Sequence, residues 1–309
     1  MKNREFAIQT LRLTKNFGSR NAVNAINIEI RQGEIFSLLG RNGAGKTTTI
    51  KMLCCLLKPT SGTASVMGHN IHENPIRVKE IIGVSPQETA IAGHLNTMEN
   101  LLLMGGVSGL RWGEARMRAK NLMLLMELED RKDQSRKLSG GMQRRLSIAM
   151  ALMSDPQVLF LDEPTLGLDP HARKSVWDYI EKLKGSKTIM LTTHYLEEAD
   201  ALSDHIAVID KAKIIETGTS HELKLKYTGI RTLRISAVGF PLEMVENLKR
   251  MGMDVNLISD GLEIQAPVID FYPIMDILHA NHVIINGIQM QEPTLDDVFL
   301  QLTGKEAGV

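Results

Sequence analysis

The residues with the plainest chemistry are Gly40-Arg41-Asn42-Gly43-Ala44-Gly45-Lys46-Thr47-Thr48, which satisfy every fixed position of the pattern G-x-x-x-x-G-K-[ST]. Glycines at 40, 43 and 45 let the backbone wrap so that its N–H groups, and the positive end of a following helix, face a polyphosphate. Lys46 can then reach the β and γ phosphates, and Thr47 is placed to put its hydroxyl on a magnesium ion bound to them. The apolar run Val158-Leu159-Phe160-Leu161 ends in Asp162 and Glu163. Two acids at the end of a buried strand are rarely structural. Asp162 fits a magnesium-holding aspartate and Glu163 a base that polarises the attacking water. His194 ends a similar run, Thr188 to Thr193, and could contact the γ-phosphate, although a lone histidine is more often a packing or surface residue. Gln87 leaves a short apolar run at a loop; a neutral amide there can coordinate magnesium or orient a water, while a loop Gln by itself is most often only solvated. Leu138-Ser139-Gly140-Gly141 opens a helix and could hold a phosphate, but it has no lysine, so it is half a site. Phe17 could stack on an adenine ring; taken alone it reads as a core residue.

These residues need elements to hold them. Glu34–Leu39 reads as a strand entering the glycine loop, and Thr48–Leu57 as a helix leaving it, stopped by Pro59. Upstream, Phe6 to Ile30 reads as antiparallel strands, with Ile26, Ile28 and Ile30 alternating with Asn27 and Glu29. Gly62–Met67 and Ile81–Val84 are strand-like. Thr97 to Ser135 turns helical, with Asn96 and Glu99 at capping spacing, a break at Gly105-Gly106 and a longer helix from about Trp112 to Asp130. Met98, Met104, Met117, Met123 and Met126 in this stretch suit either a surface that adapts to a moving partner or adaptable internal packing. A helix follows Gly140 to the stop at Pro156, and Gly167-Leu168-Asp169-Pro170 is a tight turn into another. From about Tyr227 the pattern becomes βαββαβ: strand Thr232–Ile235, helix Leu242–Met251, strands Asp254–Ile258 and Leu262–Ala266 joined by a hairpin turn, helix Asp270–His279 and strand Val283–Ile288. That order predicts a small ferredoxin-like domain, followed by a helix over Leu295–Leu302.

The 309 residues exceed one typical core, so a main domain with a smaller one is the expectation. Lys plus Arg and Asp plus Glu are both 36, leaving no net field to attract nucleic acid or an anionic membrane surface. The two cysteines, Cys54 and Cys55, are adjacent and read as packing residues in a reduced compartment rather than metal or redox groups. No run approaches the ~18 apolar residues of a spanning helix, and Met1 to Glu5 lack a signal-peptide core. The expectation is a cytosolic protein whose membrane part, if it has one, belongs to another chain.

In order, the glycine loop, the Gln87 loop, Leu138-Ser139-Gly140-Gly141, Asp162-Glu163, Gly167-Leu168-Asp169 and His194 resemble the ATP-binding subunit of an ABC transporter. The resemblance runs to about residue 225. It implies an α/β P-loop NTPase core with an antiparallel β layer and a helical subdomain at about 88–155, the cassette spanning 1–226 and an accessory α+β domain 227–309. Phe17 takes the place of an adenine-stacking aromatic that is usually Tyr, and Met142 stands where many members have Gln. The resemblance further implies an ATPase using ATP and Mg2+, with residues 40–48 on the phosphates, Thr47, Gln87 and Asp162 on magnesium, Glu163 activating water, His194 sensing the γ-phosphate and Asp169 communicating across a dimer. The partner cassette, identical or a close paralogue, would be closed upon by Ser139 and Gly141, which accounts for the half-site. Glu292-Pro293-Thr294-Leu295-Asp296-Asp297 through Gly304 looks like the tail of the branch that includes daunorubicin-resistance and other multidrug exporters. The implied function is multidrug efflux of drug-like or lipid-like compounds through a separate transmembrane permease, with this chain peripheral on the inner face of the cell membrane. The alternative is a soluble ABC-type regulator or nucleic-acid-linked ATPase. Against it stand the single cassette, the lack of a long heptad insertion between Gln87 and Ser139, and the lack of a basic tail.

Overall fold

A computed structural model describes residues 6–128, 133–228, 231–238, 241–266, 269–291 and 294–304. Asp130, Glu292 and Pro293, on which parts of two of the above expectations fall, lie outside the described residues. The chain divides into two compact units, Met1–Ser220 and His221–Val309.

The first unit opens with strands β1 (Phe6–Phe17), β2 (Arg20–Ile26) and β3 (Glu29–Arg31), then β4 (Ile35–Leu39), helix α1 (Lys46–Leu53), β5 (Ser61–Val66), β6 (His69–Asn70), α2 (Pro75–Ile81) and β7 (Ile82–Ser85). The helical part follows as α3 (Thr97–Val107), α4 (Trp112–Leu125) and α5 (Gly140–Leu152). The unit continues with β8 (Val158–Asp162), α6 (Pro170–Leu183), β9 (Thr188–Thr193), α7 (Leu196–Leu202), β10 (His205–Asp210) and β11 (Lys213–Gly218). One sheet is antiparallel and small, ordered β2-β1-β5-β6 with β3 also on β1. In it Ile26, Ile28 and Ile30 are buried and Asn27 and Glu29 exposed, as their alternation predicts. The other sheet is ordered β11-β10-β4-β9-β8-β7, parallel except for β11 at its edge.

Strands β4, β8 and β9 are buried along their whole length, which is why they read as continuous apolar runs. Their side chains divide between two cores by the two-residue period. Ile35, Leu159, Leu161, Ile189 and Leu191 pack with the helical part. Phe36, Leu38, Val158, Phe160 and Met190 pack with the antiparallel layer and α1. Burying a side chain of this size contributes about 2–3 kcal/mol. A one-residue slip in any of these strands would exchange its two sets.

Two local expectations are corrected, and one choice left open between two readings is decided. The helix after the glycine loop starts at Lys46 and ends at Leu53, short of Leu57, because Cys55 turns left-handed (φ 56°) and the Leu56 and Leu57 N–H groups fold back on the Lys51 carbonyl. Gly105-Gly106 does not break α3, which runs on to Val107. Gly105 is instead a contact point: a Cβ there would lie 2.8 Å from that of Ala115 on α4. Of the methionines, Met123 and Met126 are core, Met98 and Met104 pack against that core, and only Met117 is an exposed large apolar residue. The capping box of Asn96 and Glu99 is formed.

Helix α8 (Ser220–Thr228) begins at the division between the units. The second unit contains β12 (Arg231–Val238), α9 (Leu242–Arg250), β13 (Asp254–Ile258), β14 (Gly261–Ala266), α10 (Phe271–Ala280), β15 (Ile284–Gln291) and α11 (Leu295–Thr303). Its sheet runs β13-β14-β12-β15 with every pairing antiparallel, the split βαβ arrangement. Its core joins Leu233, Ile235, Leu262 and Ile264 of the sheet to Met244, Leu248, Ile274 and Leu278 of α9 and α10.

Candidate functional site

The carboxyl ends of four neighbouring parallel strands deliver the candidate residues. The glycine loop follows β4, His194 follows β9, Asp162 ends β8 with Glu163 next, and Gln87 lies two residues beyond β7. In an open parallel sheet this edge is where ligands bind, since strand ends and helix N-termini converge there. A cleft of about 410 Å³ is lined by Asn42, Gly43, Gly45, Lys46, Thr47 and Thr48, by Gln87 and Glu163, and by Phe17, Arg20 and Ala22 of the antiparallel layer.

The loop is shaped by close approach. Gly45 has φ 114°, and a Cβ on it would lie 2.4 Å from the Ala22 carbonyl oxygen; a Cβ on Gly40 would lie 2.3 Å from that of Ile209. Gly45 caps α1 without a side chain, so the N–H groups of the first turn are left to the cleft. Arg41 and Ala44 shape the turn from behind, the Ala44 N–H donating to the Arg41 carbonyl.

Lys46 is 5 % exposed, and its ammonium donates to the carbonyls of Gly40 (2.6 Å) and Arg41 (3.2 Å) and pairs with Glu163 Oε1 at 2.9 Å. The other Glu163 oxygen is 2.7 Å from His194 Nδ1. One carboxylate thus bridges a buried cation and an imidazole, and phosphate oxygens in the cleft would compete with it for Lys46. Glu163 has φ 50°, left-handed for a residue with a Cβ, and its N–H is held by the carbonyl and hydroxyl of Thr192. Strain of this kind costs about 1–3 kcal/mol and gathers at functional sites.

Beside this pair, Thr47 Oγ1 donates to Asp162 Oδ1 at 3.0 Å, and Thr192 Oγ1 donates to the same oxygen at 2.6 Å. A hydroxyl and a carboxylate, with a side-chain amide on the same cleft, form an all-oxygen donor set that fits magnesium. Among the described residues no cluster of three His, Cys, Asp or Glu could hold a metal.

Phe17 is 51 % exposed at the cleft, with the Lys15 ammonium 5.2 Å from its ring centroid, so the reading of it as a core residue is corrected. Leu138, Ser139, Gly140, Gly141 and Asp169 do not line the cleft. They form a patch of their own. The Ser139 hydroxyl accepts from Met142 N–H at the start of α5, Asp169 accepts from Ala172 N–H at the start of α6, and a Cβ on Gly141 would lie 3.0 Å from that of Ala172. The Ala172 N–H holds the Asp169 carboxyl below the usual range.

Two participants were not singled out from the sequence. Thr192 on Asp162 is hidden in an apolar run. Arg144 is 4 % exposed on α5 and donates to the Pro86 carbonyl (2.7 Å) and the Gln87 carbonyl (2.6 Å), so it clamps the Gln87 loop. Burial lowers its pKa while the charges of Asp162, Glu198 and Glu163 oppose that shift. The available signal was the charged pair Arg144-Arg145 at the head of a helix that turns apolar beyond it. Cys54 is buried, which pushes its thiol pKa well up, and Cys55 is half-buried.

Residues 23–166 match the family model described as ABC transporter. Over nearly its whole length the chain is similar to the daunorubicin/doxorubicin resistance ATP-binding protein DrrA of Streptomyces peucetius (39 % identity, 97 % of this chain and 93 % of that one). It is also similar to the Nod factor export ATP-binding protein I of Cupriavidus metallidurans (36 %, 97 % and 98 %) and the linearmycin resistance ATP-binding protein LnrL of Bacillus subtilis (34 %, 96 % and 98 %). Among solved structures it resembles the dimeric ATP-binding cassette MJ0796 in a post-hydrolysis state bound to ADP and Pi (TM-score 0.63, 26 % identity, 69 % of this chain and 98 % of that one). It resembles cbiO1 of Clostridium perfringens, part of the ABC transporter complex cbiONQ, similarly (TM-score 0.66, 27 %, 71 % and 90 %).

Proposed function

Because the chain belongs to the ATP-binding subunits of the ABC transporter family, we propose that it powers export of drug-like or lipid-like compounds through a separate transmembrane permease. The observation that carries this reading is near-full-length identity of 34–39 %, second unit included, with subunits named for drug resistance and Nod factor export. Among the described residues no helix is long and apolar enough to cross a membrane, which supports a permease on another chain and a peripheral position on the inner face of the cell membrane.

In this reading Phe17 stacks the adenine, the backbone of residues 40–48 with Lys46 holds the phosphates, and Thr47, Gln87 and Asp162 hold magnesium. Bound there, the ion would neutralise charge on the β and γ phosphates. Phosphate draws Lys46 away from Glu163, whose freed carboxylate takes the proton of the attacking water. His194, already bonded to Glu163, orients it and meets the γ-phosphate. A second cassette, identical or a close paralogue, brings its Ser139–Gly141 patch over this cleft, with Asp169 at the seam. The exclusion of that patch from its own cleft supports the head-to-tail pairing. Arg144 then matters mechanically, since it ties α5, which starts at the patch, to the Gln87 loop. A groove of about 640 Å³ beside that loop, lined by Ile76, Pro86, Met104, Val107 and Met150, is the surface we assign to the permease.

The test is an affinity pull-down from detergent-solubilised membranes with Glu163→Gln protein and Mg-ATP. A polytopic membrane protein is expected to come down with it. An ATP-bound dimer that brings down only soluble proteins would overturn the transport reading and leave the ATPase standing.

A further inference from the structure

Glu198 is a carboxylate that the mechanism above does not use. It is fully buried on α7, four residues after His194. One oxygen, Oε1, accepts from the Thr165 hydroxyl at 2.7 Å and from the Trp177 indole N–H at 3.0 Å; the other, Oε2, has no hydrogen-bond partner among the described residues. Thr165 opens the turn that ends at Asp169, and Trp177 sits on α6 beyond it. Burial raises the Glu198 pKa, against the hydrogen bonds from Thr165 and Trp177 that lower it, and Glu163 raises it further. Across the same interior Arg144 is a cation within electrostatic reach of it. A second tie runs parallel to the first: the Arg173 guanidinium, on the first turn of α6, stacks 4.1 Å from the Tyr195 ring, whose centroid is 4.2 Å from that of His194.

We propose that Glu198 is a positioning residue that ties the turn carrying Asp169 to the segment carrying His194, so that docking of a second cassette at Asp169 sets the His194–Glu163 pair for hydrolysis. The inference rests on the roles given above to Glu163, His194 and Asp169. An uncharged acid suits the joint, because one oxygen accepts twice while a buried negative charge beside Glu163 would be repelled. The carboxamide of Gln reproduces that neutral acid in shape and keeps the accepting oxygen.

The experiment compares steady-state ATP turnover and thermal melting of the full chain as wild type, Glu198→Gln, Glu198→Ala and Thr165→Val. Glu198→Gln is expected to keep kcat within about threefold, and Glu198→Ala to lose at least about tenfold in kcat with KM for ATP nearly unchanged, the pattern of a lost arrangement rather than lost binding. If Glu198→Ala does not fold, Thr165→Val carries the test, since it removes one arm and keeps the side-chain volume. Its effect should be less than additive with Glu198→Gln. A folded Glu198→Ala or Thr165→Val with wild-type kcat overturns the proposal, and so does a Glu198→Gln as impaired as Glu198→Ala. Glu163→Gln run alongside separates the two readings: if it still turns over ATP, the assigned base is wrong, whereas if it is dead and Glu198→Ala is normal, only the positioning role fails.

Discussion

Arg144→Met removes the clamp on the Gln87 loop while keeping an unbranched side chain of similar reach. Two hydrogen bonds from a charged group, at 2.7 and 2.6 Å, are lost, each worth about 1.5–3 kcal/mol. Against that loss, the variant no longer buries a guanidinium that is 4 % exposed, which returns part of the sum, so the net destabilisation is expected at about 2–4 kcal/mol. The interior charge balance points the same way, because Arg144 and Lys46 face Asp162 and Glu163, and its loss leaves an unmatched acid. Both tryptophans, Trp112 and Trp177, belong to the first unit, so urea unfolding followed by their fluorescence reports on that unit alone. At a slope of about 3 kcal/mol per molar urea the midpoint should fall by roughly 1 M. ATP turnover should fall at least about tenfold as Gln87 loses its fixed place. Arg144→Lys, which can reach one carbonyl at a time, should recover about half of the stability. A midpoint shift below about 0.2 M with unchanged turnover would refute the reasoning, because it would mean that the loop is held without the guanidinium.

Gly45→Ala forces a Cβ into a left-handed position 2.4 Å from the Ala22 carbonyl oxygen, and binding of a fluorescent ATP analogue should be lost even where the protein still melts cooperatively. Phe17→Ala, at an exposed side chain, should change stability by less than about 0.5 kcal/mol yet weaken nucleotide binding by about tenfold, in line with stacking energies of about 1–3 kcal/mol. The Lys187 ammonium at 2.6 Å holds the Asp155 carboxyl below its ordinary range. Its folded pKa is therefore lower than its unfolded one, and the stabilisation is present above about pH 3.9 and lost as pH falls through the folded value. As the carboxylate is largely exposed, the effect should stay below about 1 kcal/mol, and Lys187→Met should remove it from the acid limb of a pH–melting profile.

The sequence alone determined the glycine loop between strand and helix, the strand-end acids, the helix start at Ser139 and the βαββαβ order of the second unit, because each rests on local spacing: glycines where the backbone must wrap, a two-residue period, a capping pair, a turn dipeptide. The resemblance also pointed to Gln87, which lines the cleft, and to His194, which is bonded to Glu163 there. It did not show α2, β6, β10 or β11, whose runs are short or follow no clear period. It ended α1 too late because a left-handed Cys55 has no signature in residue type. Phe17 was ambiguous for a related reason, since an aromatic at a strand end is equally at home in a core.

Tertiary structure alone decided which groups share a proton or a charge. Glu163 lies 117 positions from Lys46 and 31 from His194 along the chain, yet the order β4-β9-β8 puts all three ends side by side. Arg144 on the Gln87 carbonyl and Glu198 on Thr165 and Trp177 are decided in the same way. In each case the residue's meaning comes from burial, which makes an unpaired charge or polar atom costly and so compels partners that no local pattern encodes.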